Sequence, residues 1–539
     1  MKPNPLIKDP KDIFVHCGAD ALHNAPVEEW QPPDSASHTT NGTAPGDTNY
    51  TQNQDRPLVQ LPQTGHRLES QFADDLGSRM AKGGLFQMGG IPVLVNEDED
   101  GMTAMEALSL RTWAETHITC YKVREDNSGR LISLHSTMGV ETARTALASS
   151  QFMRQLPEID KFNPCRLPVI RSNGDLELLP HGYDAEAKVF TATRRLIYRS
   201  MSHHEAIGVI NELLSEFPFA DDAGRSKAVA IAGMFSVFCR GMMPIGSIVP
   251  AFFYLANAEG AGKTTLAQVG IAPVFGRAEA RSIAGDDSEL KKELLAALIE
   301  GRQFLLLDNL KGHLSSPTLE AFVTSPTWEG RVLGGSKNFR GQNNITVYLT
   351  GNGCTVSPDL RRRTLFCELF MTEERAEERK FRRVLDIPAI LHQRENILSA
   401  LWSLVQVWNI AGRPKPSTGN ASFPRWADVI AGIIEFHGWT NPVRPAQIEG
   451  AGDRDGDDMR NLVLAMPENE RLNFGEIVEL CATKGLFEGL VPESGQQDPK
   501  DKSRLGKLLG RYGGRVFQGK YRFIVEGKGH SRRYQSAAA

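Results

Sequence analysis

The sequence predicts an α/β protein centred on a parallel sheet with helices on its faces. Two observations predict it. Beyond Ile248, short apolar runs alternate with helix-length segments, as in strands joined by crossover helices. Three of these runs also end in polar groups, where open α/β sheets hold their ligands. They are Ala251-Phe-Phe-Tyr-Leu-Ala256 before Asn257, Gln303-Phe-Leu-Leu-Leu before Asp308-Asn309, and Asn344-Ile-Thr-Val-Tyr-Leu before Thr350-Gly-Asn352.

The chain has 539 residues, enough for three or four domains, and an ordinary globular composition. No apolar run approaches a membrane span, and Met1-Lys-Pro-Asn-Pro carries no signal-peptide pattern, so a cytoplasmic protein is expected. The seven cysteines are scattered without a Cys-x-x-Cys pair, against a zinc site or disulfide framework. Net charge is −4, which excludes a uniformly basic nucleic-acid binder. From Lys500 to Arg533, however, eleven Lys/Arg face Asp501 and Glu526, a local excess of nine. That asymmetry points to an anionic partner.

In chain order, residues 1–23 contain Lys11-Asp-Ile-Phe-Val-His-Cys-Gly-Ala-Asp-Ala-Leu22, a strand or turn and a helix start. Residues 24–66 are rich in Pro, Thr, Asn, Gln, Gly and Asp and read as a flexible linker. Residues 67–200 read as a mixed α/β N-terminal domain, with strands at Leu85–Met88 and Ile91–Val95 and a helix from Val140 to Met153. Further strand and turn signals lie at Leu167–Ile170 and Gly174–Leu179. His181 and Asp184 beside a Gly-Tyr turn read as turn chemistry. Residues 201–247 read as a helical subdomain, with Ala206, Val209, Ile210, Leu213 and Leu214 at helical spacing, then Ala228 to Phe238.

Residues 248–375 carry the chemistry. Asn257-Ala-Glu-Gly260-Ala-Gly262-Lys263-Thr264-Thr265, between a strand and a helix, has the layout of a nucleotide phosphate loop. Successive backbone N–H groups curl round the phosphates, and the helix N-terminus adds partial positive charge. Lys263 is expected to reach the β- and γ-phosphates of ATP, and the Thr264 hydroxyl to hold Mg²⁺. Asn257 stands where the usual motif opens with Gly, a mild departure because Asn tolerates a left-handed backbone.

Asp308 ends a buried strand and is the candidate Walker B acid, holding Mg²⁺ through water. Asn352 ends the third strand, where an amide can orient the attacking water, or form an ordinary Gly-Asn-Gly turn. Both strands are expected to flank the loop's own. Arg361, Arg362 and Arg363 follow; they are either a solvated face or a charge clamp for a neighbouring subunit's γ-phosphate. Between the second and third strands, Trp328 to Gly341 suggests a hairpin with Lys337 and Arg340 near its tip. There it is an exposed turn or a grip on a phosphate backbone.

Residues 376–446 read as helices, and residues 447–460 as an acidic, Gly-rich linker. Residues 461–535 read as helix (Phe474 to Lys484), helix (Lys502 to Tyr512) and two strands (Gly514–Phe517 and Tyr521–Val525). That order is a winged-helix pattern, with Lys507, Arg511, Arg515, Lys520 and Arg522 as the DNA-facing candidates. A basic protein-binding tail is the competing reading.

Together, Asn257–Thr265, Leu305-Leu-Leu-Asp308-Asn309, Thr324-Ser-Pro-Thr-Trp-Glu-Gly-Arg331, Leu349-Thr-Gly-Asn352 and Asp359-Leu-Arg-Arg-Arg363 resemble the superfamily III helicase module of phage, plasmid and mobile-element primase-helicases. The resemblance covers roughly residues 200–440. More weakly, Lys11–Leu22 resembles the tail of a primase Toprim region, and Arg504–Tyr534 a terminal winged helix. The resemblance implies an AAA+-type hexameric ring ATPase that translocates along single-stranded DNA. It implies Lys263 and Thr264 on phosphates and Mg²⁺, Asp308 as Walker B acid, Asn352 as sensor, and Arg362 or Arg363 as the trans-acting finger. Asn309 stands where many such ATPases have a water-activating carboxylate. That leaves the base unassigned, with Glu329 a candidate by chain proximity only. No acid cluster of a primase is visible before residue 200, so a primase half is expected to be a separate protein or absent. The competing readings are an ATP-switched DNA-binding or loading protein, favoured by Asn309, and an NTP-dependent defence regulator.

Overall fold

The computed structural model describes residues 56–538 except 99, 193–195, 283–286, 332–337, 353, 372–384, 444–453, 488–489, 493–497, 518–519 and 528–531. The expected Toprim-like segment Lys11–Leu22 and Lys337 lie outside the described residues.

The linker expected over 24–66 gives way to ordered structure by Leu58. Leu58–Gln60 pairs in parallel with Thr119–Glu125, and Val59 and Leu61 are buried. Helix Glu69–Lys82 lays Phe72, Ala73, Leu76 and Met80 along one face and packs on helix Ser150–Gln155. Contact is close at Gly77, where a Cβ would stand 2.7 Å from the Phe152 carbonyl oxygen. The single helix expected over Val140 to Met153 is two, Val140–Ala148 and Ser150–Gln155. Ser149 is the reason: its backbone is extended and its Oγ accepts from Gln151 N at 3.2 Å, capping the second helix.

Leu85–Met88 and Ile91–Asn96 form a hairpin whose two turn residues, Gly89 and Gly90, have φ of 56° and 83°. Such a turn needs positive φ at both positions. Gly101–Ala104 pairs antiparallel with the second strand, and Phe86, Val93 and Met102 from this three-stranded sheet join the central core rather than that of the preceding helices.

The central sheet has five parallel strands in the order Ala280–Arg281, Phe304–Leu310, Thr346–Asn352, Ala251–Ala256, Thr364–Leu369. Ala251 to Leu255 are all buried, as the unbroken apolar runs require of strands covered on both faces. Asp308 and Asn352 therefore do not both flank the loop strand. The Asn352 strand lies beside it, and the Asp308 strand lies one place further out, about 10 Å from the loop strand at sheet spacing.

Helix Arg225–Phe238 is buried almost throughout and crosses both the sheet and the loop's helix. Tyr348 Oη donates to Gly233 O at 2.9 Å, and a Cβ on Gly233 would meet Tyr254 Oη at 2.7 Å. The helices expected as a subdomain over 201–247 thus share the central core. Helix Arg394–Ile410 packs on helix His203–Leu213.

The acidic linker expected over 447–460 is helical from Arg454, in helix Arg454–Ala465. Met459, Leu462, Val463 and Met466 recur at helical spacing and are buried. With helices Phe474–Lys484 and Pro499–Tyr512 they cover an antiparallel sheet ordered Arg471–Leu472, Arg533–Ala538, Tyr521–Glu526, Val516–Phe517. The strand Arg533–Ala538, unanticipated in the sequence, is paired on both sides. Among the described residues, no helix is long and apolar enough to cross a membrane.

Candidate functional site

The loop strand ends at Ala256, level with Asn352 of its neighbour. The chain then turns through Gly260 and Gly262, with φ of 74° and 89°, into helix Lys263–Phe275. Only glycine enters these conformations without strain. Gly262 is held from outside by Phe217, whose ring atom Cε1 would stand 3.3 Å from an added Cβ. The first N–H groups of the helix have no intrahelical partner and face the sheet's carboxyl end, where the macrodipole is positive.

Asn257 behaves differently from expectation. It is absent from the described residues with positive φ. Its side chain instead clamps another segment: Nδ2 donates to Met371 O at 2.9 Å, and Oδ1 accepts from Met371 N at 2.8 Å. The amide therefore ties the start of the loop to the chain just beyond Thr364–Leu369, a contact that glycine cannot make.

Four polar side chains converge across the sheet's carboxyl end. Lys263 Nζ donates to Asn352 Oδ1 at 2.5 Å. Thr264 Oγ1 donates to Asp308 Oδ1 at 2.7 Å. Burial lowers the Lys263 pKa, opposed by the charges of Asp308 and Glu259. Thr265 is half-buried in the first turn of the helix. An amine, a hydroxyl, a carboxylate and an amide thus meet at the mouth of a left-handed turn. The donor set fits a polyphosphate, and hydroxyl plus carboxylate fit Mg²⁺, which takes few protein ligands alongside phosphate oxygens.

Sequence reasoning missed Thr350. Its Oγ1 donates to the same Asp308 Oδ1 and accepts from Asn309 N at 3.2 Å. Pairing between the two strands shifts register here, between Leu307 and Leu310, and Asn309 takes φ of 59°. The buried Thr350 hydroxyl stitches this bulge and aims the Asp308 carboxylate at Thr264. A threonine hydroxyl two residues before Asn352, at the strand's carboxyl end, was the available signal.

Other expected residues are placed elsewhere. Ala251 N donates to Arg363 O at 2.9 Å, so Arg362 and Arg363 lie at the opposite end of the loop strand from the loop. Five residues of strand put them about 17 Å from its carboxyl end, out of reach of their own loop. Arg362 is exposed and ion-paired with Asp359.

Arg340 is not at a hairpin tip. It is exposed within strand Asn338–Gln342, opposite Glu329 of Thr327–Arg331, and its N–H donates to Gly89 O at 3.3 Å. Glu329 belongs to a hairpin whose Gly330 sits against Leu295 of helix Asp287–Ile299, not against the loop. His181 Nδ1 contacts Ala192 O at 2.6 Å, and Asp184 is gripped by Arg171 at 2.8 and 2.6 Å, both structural roles.

In the C-terminal region Lys507, Arg515, Lys520 and Arg522 are exposed. The Arg515 guanidinium lies 4.6 Å from the Tyr512 ring centroid. The Arg511 side chain lies outside what is described. Leu505, Leu508 and Leu509 face the core, so Lys507 lies on the outer side of helix Pro499–Tyr512.

No known protein family matches the sequence, and no curated protein matches it. Among solved structures the chain is similar to the NrS-1 C-terminal region, at 11% identity over 56% of this chain and 70% of that one, with a TM-score of 0.29. It is similar to a ligand-bound JCV helicase at 12% identity over 44% and 67%, with a TM-score of 0.21. It is also similar to the helicase SCCmec type IV Cch at 11% identity over 85% and 97%, with a TM-score of 0.28. Likenesses this distant show neither a family nor a shared fold.

Proposed function

We propose that the chain is an ATP-dependent DNA helicase of a prophage or mobile element, working as a homo-hexameric ring on single-stranded DNA. The observation that carries the ATPase reading is the paired contact Lys263–Asn352 and Thr264–Asp308 at the mouth of a glycine turn. Each contact joins a loop residue to the end of a different strand. The amine, hydroxyl, carboxylate and amide brought together by these contacts are the groups that ATP with Mg²⁺ would engage.

In this reading Lys263 leaves Asn352 for the β- and γ-phosphate oxygens, and backbone N–H groups of 257–265 receive the rest of the polyphosphate. Thr264 and Asp308 hold Mg²⁺, which when bound neutralises charge on the phosphate oxygens. Released from Lys263, the Asn352 amide orients the attacking water, the sensor role. Catalysis is then positioning and electrostatic stabilisation of the γ-phosphoryl group. Arg362 or Arg363 reaches a neighbour's γ-phosphate, which is consistent with their distance from their own loop.

The hairpin carrying Arg340, with Lys337, grips the single strand. The C-terminal region is a winged helix that binds duplex through Lys507, Arg511, Arg515, Lys520 and Arg522. A primase, if one acts here, is a separate partner, and the protein works in the cytoplasm.

Asn309 favours a second reading, an ATP-switched DNA-binding or loading protein that hydrolyses poorly. One experiment separates them: ATP hydrolysis and strand separation with and without single-stranded DNA, on wild type and Lys263→Ala. The helicase reading expects DNA-stimulated hydrolysis that Lys263→Ala abolishes. Absence of stimulation, with function intact in Lys263→Ala, overturns it. Sizing with ATP and Mg²⁺ expects a ring; a monomer or dimer favours the regulator.

A further inference from the structure

Away from the phosphate loop, a cavity of 240 Å³ opens between strand Lys161–Asn163, the segment 240–246 and the foot of the Arg340 hairpin at Gln342 and Asn344. Its charged lining is Lys161, Arg171, Arg240, Asp160 and Glu186. Arg171 is committed to Asp184, Glu177 and Glu186. Lys161 and Arg240 are not committed in this way.

Lys161 is 8% exposed and Arg240 7%, and among the described residues neither makes an ion pair. Arg240 Nη2 donates to the carbonyls of Ser247 and Asn343 at 2.8 and 3.0 Å, while its Nε has no partner. Among the described residues, no hydrogen bond engages the Lys161 amine. Burial, then the Arg240 charge, pulls that amine down to about 8, against the pull of Asp160. Burial in turn pushes the Asp160 carboxyl up, toward its neutral form.

Two buried cations share this cavity with one nearby carboxylate, Asp160, that forms no ion pair with either, a costly arrangement in which each cation disfavours the other's charge. A doubly charged oxyanion between them removes that cost. A guanidinium charge beside a lysine point charge suits phosphate. The cavity is also smaller than the roughly 300–1,000 Å³ of pockets for drug-sized ligands. We propose that this cavity is a second anion site, taking inorganic phosphate or the dianion of a phosphate monoester between Lys161 and Arg240. The site does not depend on the helicase reading.

Two measurements on the full chain test it. The first is thermal unfolding with inorganic phosphate against chloride at matched ionic strength, in Lys263→Ala so that the phosphate loop does not contribute. The midpoint is expected to rise by about 2 °C or more, and Lys161→Met in that background to lose the rise. A rise unchanged by Lys161→Met, or no rise, overturns the proposal.

The second needs no variant. Cyanate, a small reagent for deprotonated amines, is applied near pH 8 and carbamylation is read at Lys161 by peptide mass. Phosphate at saturating concentration is expected to slow modification at least five-fold. Unchanged modification, or none at Lys161 even without phosphate, also overturns the proposal. Repeating the protection with 5′-phosphorylated and 5′-hydroxyl oligonucleotides distinguishes the sources. Protection by the phosphorylated strand alone assigns a nucleic-acid end, and protection by phosphate alone a free anion.

Discussion

Replacing Asn257 with Gly restores the usual first residue of a phosphate loop, yet here it is expected to do harm. The substitution removes both clamp bonds to Met371, at 2.9 and 2.8 Å. Met371 is 4% exposed, so its N–H and C=O lose their partners in a place water barely reaches. Each hydrogen bond contributes about 1 kcal/mol net, and the added backbone freedom of glycine costs about 0.5–1 kcal/mol more. The local loss is therefore about 2–3 kcal/mol, or roughly 30-fold or more in an opening equilibrium. Native-state hydrogen exchange at the Met371 amide reports this local opening directly. Protection there should fall by roughly 30-fold, and ATP affinity several-fold with it, since the clamp anchors the start of the loop. Asn257→Ala separates the two contributions, losing the clamp without glycine's freedom. If Asn257→Gly leaves Met371 protection and ATP affinity within two-fold of wild type, the clamp is incidental and the reasoning fails.

Other substitutions test the site itself. Lys263→Ala should lower ATP hydrolysis by roughly 100-fold or more, read under saturating nucleotide. Thr350→Val leaves the Thr264–Asp308 pair in sequence but frees the bulge at Asn309; it should raise the Mg²⁺ needed for half-maximal hydrolysis by about 10-fold, and an unchanged Mg²⁺ requirement would show that Thr350 does not aim Asp308. If Arg362 or Arg363 acts on a neighbour, its Ala variant mixed with Lys263→Ala subunits should recover some hydrolysis, whereas a cis role predicts none. Burial holds the His437 imidazole down to about 3, beside His203 and with Nε2 on Leu404 O at 2.9 Å. The unfolded chain titrates this group near 6.5, so it binds a proton that the folded chain does not. This contribution is complete above that pH and is lost as pH falls toward 3, at up to about 1.4 kcal/mol per pH unit. His437→Phe should flatten that acid limb in urea midpoints measured from pH 7 to pH 4.

The strands that carry chemistry were legible because burial on both faces leaves a long apolar run, and such a run ends visibly at Asp308 or Asn352. Their order was not. Which strand lies beside the loop is decided by how helices such as Arg225–Phe238 pack across the sheet, and that leaves no mark inside a strand's own residues. Ser149 shows a second limit: a serine between two apolar periods reads as a helical position until its own hydroxyl is seen capping the next helix. Helix Arg454–Ala465 shows a third. Its acidic, glycine-bearing start resembles a linker, and only the later spacing of Met459, Leu462 and Val463 reveals the face it buries.

At the site, side chains that bond to ligand-like groups were easier to name than side chains that bond to backbone. Lys263, Thr264, Asp308 and Asn352 are residue types whose chemistry announces itself at a strand end. Asn257 and Thr350 act on Met371 and Asn309, segments 114 and 41 residues away, and nothing in their local sequence indicates that reach. The two are connected through the sheet. Asn257 fixes the loop to the strand on one side of its own, and Thr350 fixes Asp308 to the strand on the other. The loop strand and its two neighbours are thereby held at one level, and the four converging side chains depend on that level. An Asn at the start of the loop and another after Asp308 first read as two departures in one site. The first is a brace. The second, at φ of 59° and exposed, occupies a left-handed position where Asn is tolerated, whereas a longer carboxylate there would carry backbone strain. The same bulge that aims Asp308 thus favours asparagine after it, so in this reading the Asn352 amide orients the water and its proton is taken by a residue from outside this strand.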